Sequence, residues 1–176
     1  ASEVCHCRRV HEAWPAQLSA DKSITWTGNR TLEVVYQACH GALFDAIPDQ
    51  VSRLNATYPP HFASLMIGGN NGGFPEIVLN CIYQVDKDQD YGPQYPDPNS
   101  ECTKALSRAR QNVHAPWFRD GLLSSIDAIL NEPCIRLDSH FRLYVVGYAS
   151  LFNHDDEACD EWSFTFSPGK EQKLTT

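Results

Sequence analysis

The sequence predicts one α/β domain, a sandwich built on a mostly parallel sheet. Three observations carry this. Apolar runs of strand length alternate with helical spacing in the order strand, helix, strand, helix, strand. Two of the strand runs empty at once into small-residue turns, Cys39–Ala42 and Gly68–Gly73, and ligands in open α/β sheets sit just outside the carboxyl ends of strands. The length, 176 residues, suits one domain with a real core rather than two.

Composition narrows the function classes. With 42% hydrophobic and 20% charged residues the chain reads as globular. Its 14 basic and 22 acidic side chains leave a net charge of −8 with no basic cluster, which argues against nucleic acid or an anionic membrane surface as main partner. No apolar run approaches the ~18 residues of a membrane span. Ala1-Ser2-Glu3 lacks the basic segment and apolar core of a signal peptide, so the chain reads as already processed or truncated. Cys5, Cys7, Cys39, Cys81, Cys102, Cys134 and Cys159 are scattered rather than set in C-x-x-C knuckles. That favours disulfides in a secreted protein over a zinc site. Two N-x-T sequons, at Asn29 and Asn55, are glycosylation acceptors in the same compartment. An odd cysteine count leaves at least one thiol without an intrachain partner.

Taken in order, Cys5-His-Cys7 and His11 crowd the start, where a disulfide anchor outweighs a metal site because no second Cys/His cluster completes a ligand set. Glu12 to Ala20 suits a short helix with Pro15 in its first turn. Leu32-Glu-Val-Val-Tyr-Gln-Ala38 reads as a strand from its β-branched and aromatic content. Leu43, Phe44, Ile47, Val51 and Leu54 mark a helical stretch over 43–56, with Pro48 an early interruption. Phe62-Ala-Ser-Leu-Met-Ile67 has the length and composition of a buried strand, and a helix is expected from Pro75 to about Tyr83. Asp86 to Ser100 is a solvated loop. Its Asp86, Asp88 and Asp90 resemble a calcium loop, but Asp97 stands where that loop needs a bidentate Glu. Cys102 to Asn131 is helical with a break near Pro116 or Gly121. Phe141 to Gly147 is a strand, His154-Asp155-Asp156 a polar turn, and Trp162 to Phe166 an alternating strand ended by Ser167-Pro-Gly-Lys170.

The loop Gly68-Gly-Asn-Asn-Gly-Gly73 is the leading candidate site. Four glycines let a ligand or another backbone approach closely, and asparagine adds a neutral donor. Acyl transfer needs a nucleophile, a base and an oxyanion hole. Backbone N–H groups of the two turns and the Asn70 amide have the chemistry of the third.

Here a family resemblance enters. Ala38-Cys-His-Gly-Ala42 and Leu65-Met-Ile-Gly-Gly-Asn-Asn-Gly-Gly-Phe74 resemble two of the four signature blocks of the SGNH (GDSL-like) hydrolases, A-C-S-G-A and I-G-G-N-D-x-G-F in secreted bacterial and fungal members. Cys7-Arg-Arg, Trp14 to Leu18, Val146 to Asn153, Cys159 to Phe164 and Ser167 to Lys170 are similar to further segments, so the likeness spans nearly the whole chain. It implies a three-layer α/β/α sandwich that hydrolyses carboxylic esters of lipids, acylated sugars and related substrates, with no cofactor and no metal. Gly41 and Asn70 match the oxyanion-hole residues, and Asn71 stands where the family usually has Asp. His40, Gly69, Asn71 and His154 are the expected substrate-facing residues. Alongside the likeness Cys7 is paired with Cys39 and Cys81 with Cys102; Cys5, Cys134 and Cys159 stay unassigned.

Two blocks have no counterpart. No Gly-Asp-Ser occurs, and none of the seven histidines has Asp three residues earlier. Asp138-Ser-His140 is not a triad, because adjacent strand residues point to opposite faces. On the resemblance the chain is incomplete, lacking the central first strand and the C-terminal segment, and another chain could complete the sheet. The expectation is a secreted esterase-type chain whose nucleophile and base are unassigned. The alternative is a catalytically dead binding or effector protein on the same fold, and a small acidic metal-binding protein ranks third.

Overall fold

The computed structural model describes residues 7, 9, 11, 13–21, 23, 25–26, 30–31, 33–54, 57, 59–83, 96–148, 163–167 and 170–173. Contacts divide the chain into two units, Ala1–His61 with Ser124–Arg142, and Phe62–Leu123 with Leu143–Thr176. It is a mixed α/β protein, mostly helical, with one two-stranded parallel sheet and two antiparallel strand pairs among the described residues.

In the first unit, α1 (Trp14–Ala20) opens with Pro15 in its first turn, where the missing N–H costs nothing. Strands β1 (Thr25–Trp26) and β2 (Arg30–Thr31) pair antiparallel. A 3₁₀ turn, Phe44–Ala46, runs into α2 (Ile47–Ser52), and Ile47 and Val51 are buried one turn apart on a single face. The unit also holds the end of α6 (Pro116–Leu130), where Ile129 is buried, and α7 (Pro133–Arg136), which buries Cys134 and Ile135. Ser125 is 1% exposed, and its Oγ donates to the Phe44 carbonyl at 3.5 Å.

Of the expected strand over Leu32–Ala38, the described residues 33–38 form none. Residues 33–39 carry no regular structure. Two of their carbonyls are claimed by a side chain instead: Arg9 Nε donates to Ala38 O and Nη2 to Gln37 O, each at 2.9 Å. Next to them the Cys7–Cys39 disulfide and the His40 N–H to Cys7 carbonyl bond fix the segment's end. The β-branched composition reports a half-buried extended segment as readily as a ladder strand.

In the second unit, β3 (Phe62–Leu65) and β4 (Arg142–Val145) lie side by side. Their direction shows in the hydrogen bonds: Arg142 N–H donates to His61 O and Val146 N–H to Leu65 O, four residues further along both strands, so the pair is parallel. Phe62 and Tyr144 meet edge to face at 6.4 Å. After β3 the chain forms α3 (Gly69–Gly72), α4 (Phe74–Ile77) and a π-helical turn, Val78–Tyr83. Helix therefore begins six residues before the expected Pro75, because the left-handed Gly68 turns the chain directly out of the strand. A second left-handed glycine, Gly73, ends α3 and starts α4.

Helix α5 (Glu101–His114) is capped by Ser100, whose Oγ accepts from Thr103 N–H at 3.0 Å. It stops at Ala115, which is extended as a residue before proline should be. The long helical region thus breaks at Pro116, while Gly121 lies inside α6. The Cys81–Cys102 disulfide ties the π turn to α5. Strands β5 (Ser163–Ser167) and β6 (Lys170–Lys173) form an antiparallel hairpin.

Candidate functional site

The site begins at the carboxyl end of β3. Gly68 (φ 104°) and Gly73 (φ 102°) bracket α3, and only glycine takes this backbone region without strain. Gly72 N–H donates to Gly68 O at 2.7 Å and Gly73 N–H to Asn70 O at 3.3 Å, closing the turn on itself. Asn70 and Asn71 sit inside it, both half-buried. From α5, Asn112 Nδ2 donates to the Gly72 carbonyl at 3.3 Å, anchoring the turn from below.

Because β3 and β4 are parallel, their carboxyl ends come together, and this brings Tyr148 to the turn. Gly69 N–H donates to the Tyr148 hydroxyl at 3.2 Å. A Cβ at Gly69 would lie 2.9 Å from the Tyr148 ring and hydroxyl, so glycine is what lets the phenol approach. Beside this contact opens a cavity of about 290 Å³ walled by Ile67, Gly72, Phe74, Val113, Phe118 and Tyr148. Among the described residues no charged side chain lines it.

The other turn lies in the first unit. Gly41 has φ 77°, with nothing within 4 Å of where a Cβ would stand. The Ala42 N–H to Cys39 O bond closes the turn at 3.2 Å. Among the described residues the Gly41 N–H makes no hydrogen bond, and His40 and Gly41 are exposed. So Gly69, Asn70 and Asn71 share one turn of the second unit, while His40 and Gly41 share one turn of the first. Asn29, Asn55, His154, Cys5, Cys159 and the loop Asp86–Asp90 lie outside the described residues.

One His–Asp pair is present that sequence reading did not find. His61 Nδ1 stands 2.7 Å from Asp138 Oδ2. The hydrogen bond from His61, then that from His140 N–H, holds the Asp138 carboxyl below its ordinary range. The pair sits where β3 and β4 begin, at the opposite strand ends from the Gly68–Gly73 turn. Among the described residues no cluster of three His, Cys, Asp or Glu could hold a metal ion, and no helix is long and apolar enough to cross a membrane.

Tyr148, Asn112, Val113 and Phe118 also escaped sequence reading. Tyr148 carried a signal: in a parallel sheet the residues just past Val145 must land beside those just past Leu65. The α5 and α6 residues carried none, since helix packing partners are not encoded by local pattern. No protein-family model matches the chain, no curated protein matches it, and no solved structure matches it.

Proposed function

We propose that this chain is the body of a secreted SGNH-type carboxylic ester hydrolase, a three-layer α/β/α sandwich that stabilises the oxyanion of acyl transfer to water with the Gly41 N–H and the Asn70 amide. The observation that carries the reading is the Gly68–Gly73 turn. An amide side chain is held between two left-handed glycines directly after the carboxyl end of a parallel strand, the edge where α/β sheets bind ligands. The sandwich reading is supported by β4, where Tyr144 is 58% and its neighbour Val145 54% exposed. Neighbouring residues face opposite sides of a strand, and parallel sheets normally bury both. Further strands and helices, from this gene product or from another chain, would cover them. The two disulfides suit an oxidising compartment, as do sequons at Asn29 and Asn55.

The substrate in this reading is a small-molecule, acylated-glycan or lipid ester, with His40, Gly69, Asn71 and His154 facing it and neither metal nor cofactor required. Nucleophile and base are not assigned, because these 176 residues contain neither Gly-Asp-Ser nor Asp-x-x-His. That same sequence observation favours a second reading, a catalytically dead binding or effector protein that keeps the pocket for recognition.

The encoding transcript decides between them. A Gly-Asp-Ser strand upstream and an Asp-x-x-His segment downstream support the hydrolase; a transcript with neither supports the binding protein. In the complete product, Asn70→Ala is expected to lower kcat for p-nitrophenyl butyrate by about 10²–10³, the usual loss for one oxyanion donor.

A further inference from the structure

Where Gly69 meets Tyr148, a polar corner opens into a wholly apolar cavity. The polar corner holds the Gly69 N–H and the Tyr148 hydroxyl. The walls beyond are glycine, Ile67, Phe74, Val113 and Phe118. Phe74 and Val113 come from α4 and α5 and remain 41% and 47% exposed, an apolar surface that an occupant would remove from water. Such a site matches an amphiphile with a hydrogen-bonding head and an apolar tail. Charge selects further. Among the described residues the cavity offers no cation to a carboxylate, and the chain carries a net charge of −8. A neutral carbonyl therefore suits it better than a fatty-acid anion.

We propose that this cavity is the acyl-chain site for neutral esters of medium chain length, with the Tyr148 hydroxyl as the hydrogen-bonding group at its polar corner. The phenol oxygen accepts the Gly69 N–H, and its own O–H is the group that donates to the ester carbonyl. The cavity size sets the tail. A 150 Å³ cavity holds benzene, so about 290 Å³ takes a chain of roughly ten carbons. This assignment rests on the ester-hydrolase reading for the identity of the head group, but not for the groove itself.

Straight-chain 2-alkanones test it, because they present a neutral carbonyl on an apolar tail and have no leaving group. Titration of the full chain by calorimetry, from 2-pentanone to 2-tridecanone, is expected to show Kd falling about fourfold per methylene, then levelling near ten carbons. Val113→Trp, on an exposed helix face, should bring the plateau several carbons earlier, and Val113→Ala should delay it. Leu106→Trp, elsewhere on α5, should leave the series unchanged. Decanoate should bind at least tenfold more weakly than 2-undecanone. A flat series, or a plateau indifferent to Val113, overturns the groove assignment whatever the turnover assays show. Decanoate binding as tightly as the ketone overturns the neutral-ester assignment. A chain-length-dependent series in a complete gene product that hydrolyses no ester overturns the hydrolase reading alone.

Discussion

His61 and Asp138 are 77 positions apart in sequence and 2.7 Å apart in space. The bond joins the residue before β3 to the turn before β4, next to the backbone bond from Arg142 N–H to the His61 carbonyl. Asp138 also accepts from His140 N–H at 2.8 Å, which folds the Asp-Ser-His turn around the carboxylate. An His–Asp pair of this length suggests a catalytic dyad, but its position argues otherwise. It lies at the amino ends of the strands, away from the glycine-bracketed turn. It sets the register of a parallel pair, where a slip of one residue would turn every side chain to the wrong face.

That role has an acid signature. Asp138 is held below its ordinary value by His61 first and His140 second. A carboxylate with a lowered folded pKa contributes stability that is full above its unfolded value, about 3.9. The contribution is lost as pH falls through the folded value. Asp138→Asn is therefore expected to lower the urea midpoint at pH 5, with the gap to wild type closing toward pH 2. A gap that stays constant over that interval would show that the carboxylate's charge is irrelevant.

Arg9 is the second long-range organiser. It replaces a neighbouring strand for residues 33–39 by feeding two carbonyls at 2.9 Å. Hydrogen bonds to charged groups are worth roughly 1.5–3 kcal/mol each at most, and this side chain is partly solvated. Arg9→Ala is expected to cost about 2 kcal/mol and to speed amide exchange in 33–39. Arg9→Lys should recover less than half, because an ammonium cannot span both carbonyls as the guanidinium fork does. Full recovery by lysine would mean that charge alone, rather than the fork, holds the segment.

These two contacts also show where sequence reading stopped. The strand at Phe62, the helix after Glu101 and the break at Pro116 were legible because each is set by local chemistry: an apolar run, a Ser100 cap and a missing N–H. The Gly68–Gly73 turn was legible as a place stripped of side chains, though not as helix, since glycine and asparagine are poor helix formers and tertiary contacts from Asn112 hold them there. Residues 33–38 were misread because their composition does not say whether a ladder or an arginine will satisfy their carbonyls. Tyr148 and Val113 became visible only once the parallel pairing of β3 with β4 and the seating of α5 were known.

The glycines divide by the cause of their requirement, and substitution separates them. Gly68→Ala and Gly73→Ala should each cost about 1–2 kcal/mol from the left-handed backbone, since the Gly73 Cβ would find only ordinary contacts at 3.6 Å. Gly69 is different: its Cβ would strike the Tyr148 ring at 2.9 Å. Gly69→Ala should therefore be destabilising with Tyr148 present and nearly neutral in a Tyr148→Ala background. Urea midpoints of the four proteins in that double-mutant cycle give the coupling directly, and additivity would place the cost in the backbone instead.

The cysteines supply the last test. Cys7–Cys39 and Cys81–Cys102 close loops of 32 and 21 residues, each removing about 3–4 kcal/mol of denatured-state freedom in the chain-entropy account. Replacing either pair by serines is expected to lower stability by that amount. Cys134 is a different case. It is 2% exposed and unbridged among the described residues, and burial, aided by Glu132, pushes its thiol up. Its thiolate is therefore scarce as well as shielded. Iodoacetamide, followed by peptide mapping, should leave Cys134 unlabelled in the native protein and label it in 6 M urea. Fast native labelling would mean that α7 opens readily and that the first unit's core around Ile135 is not closed.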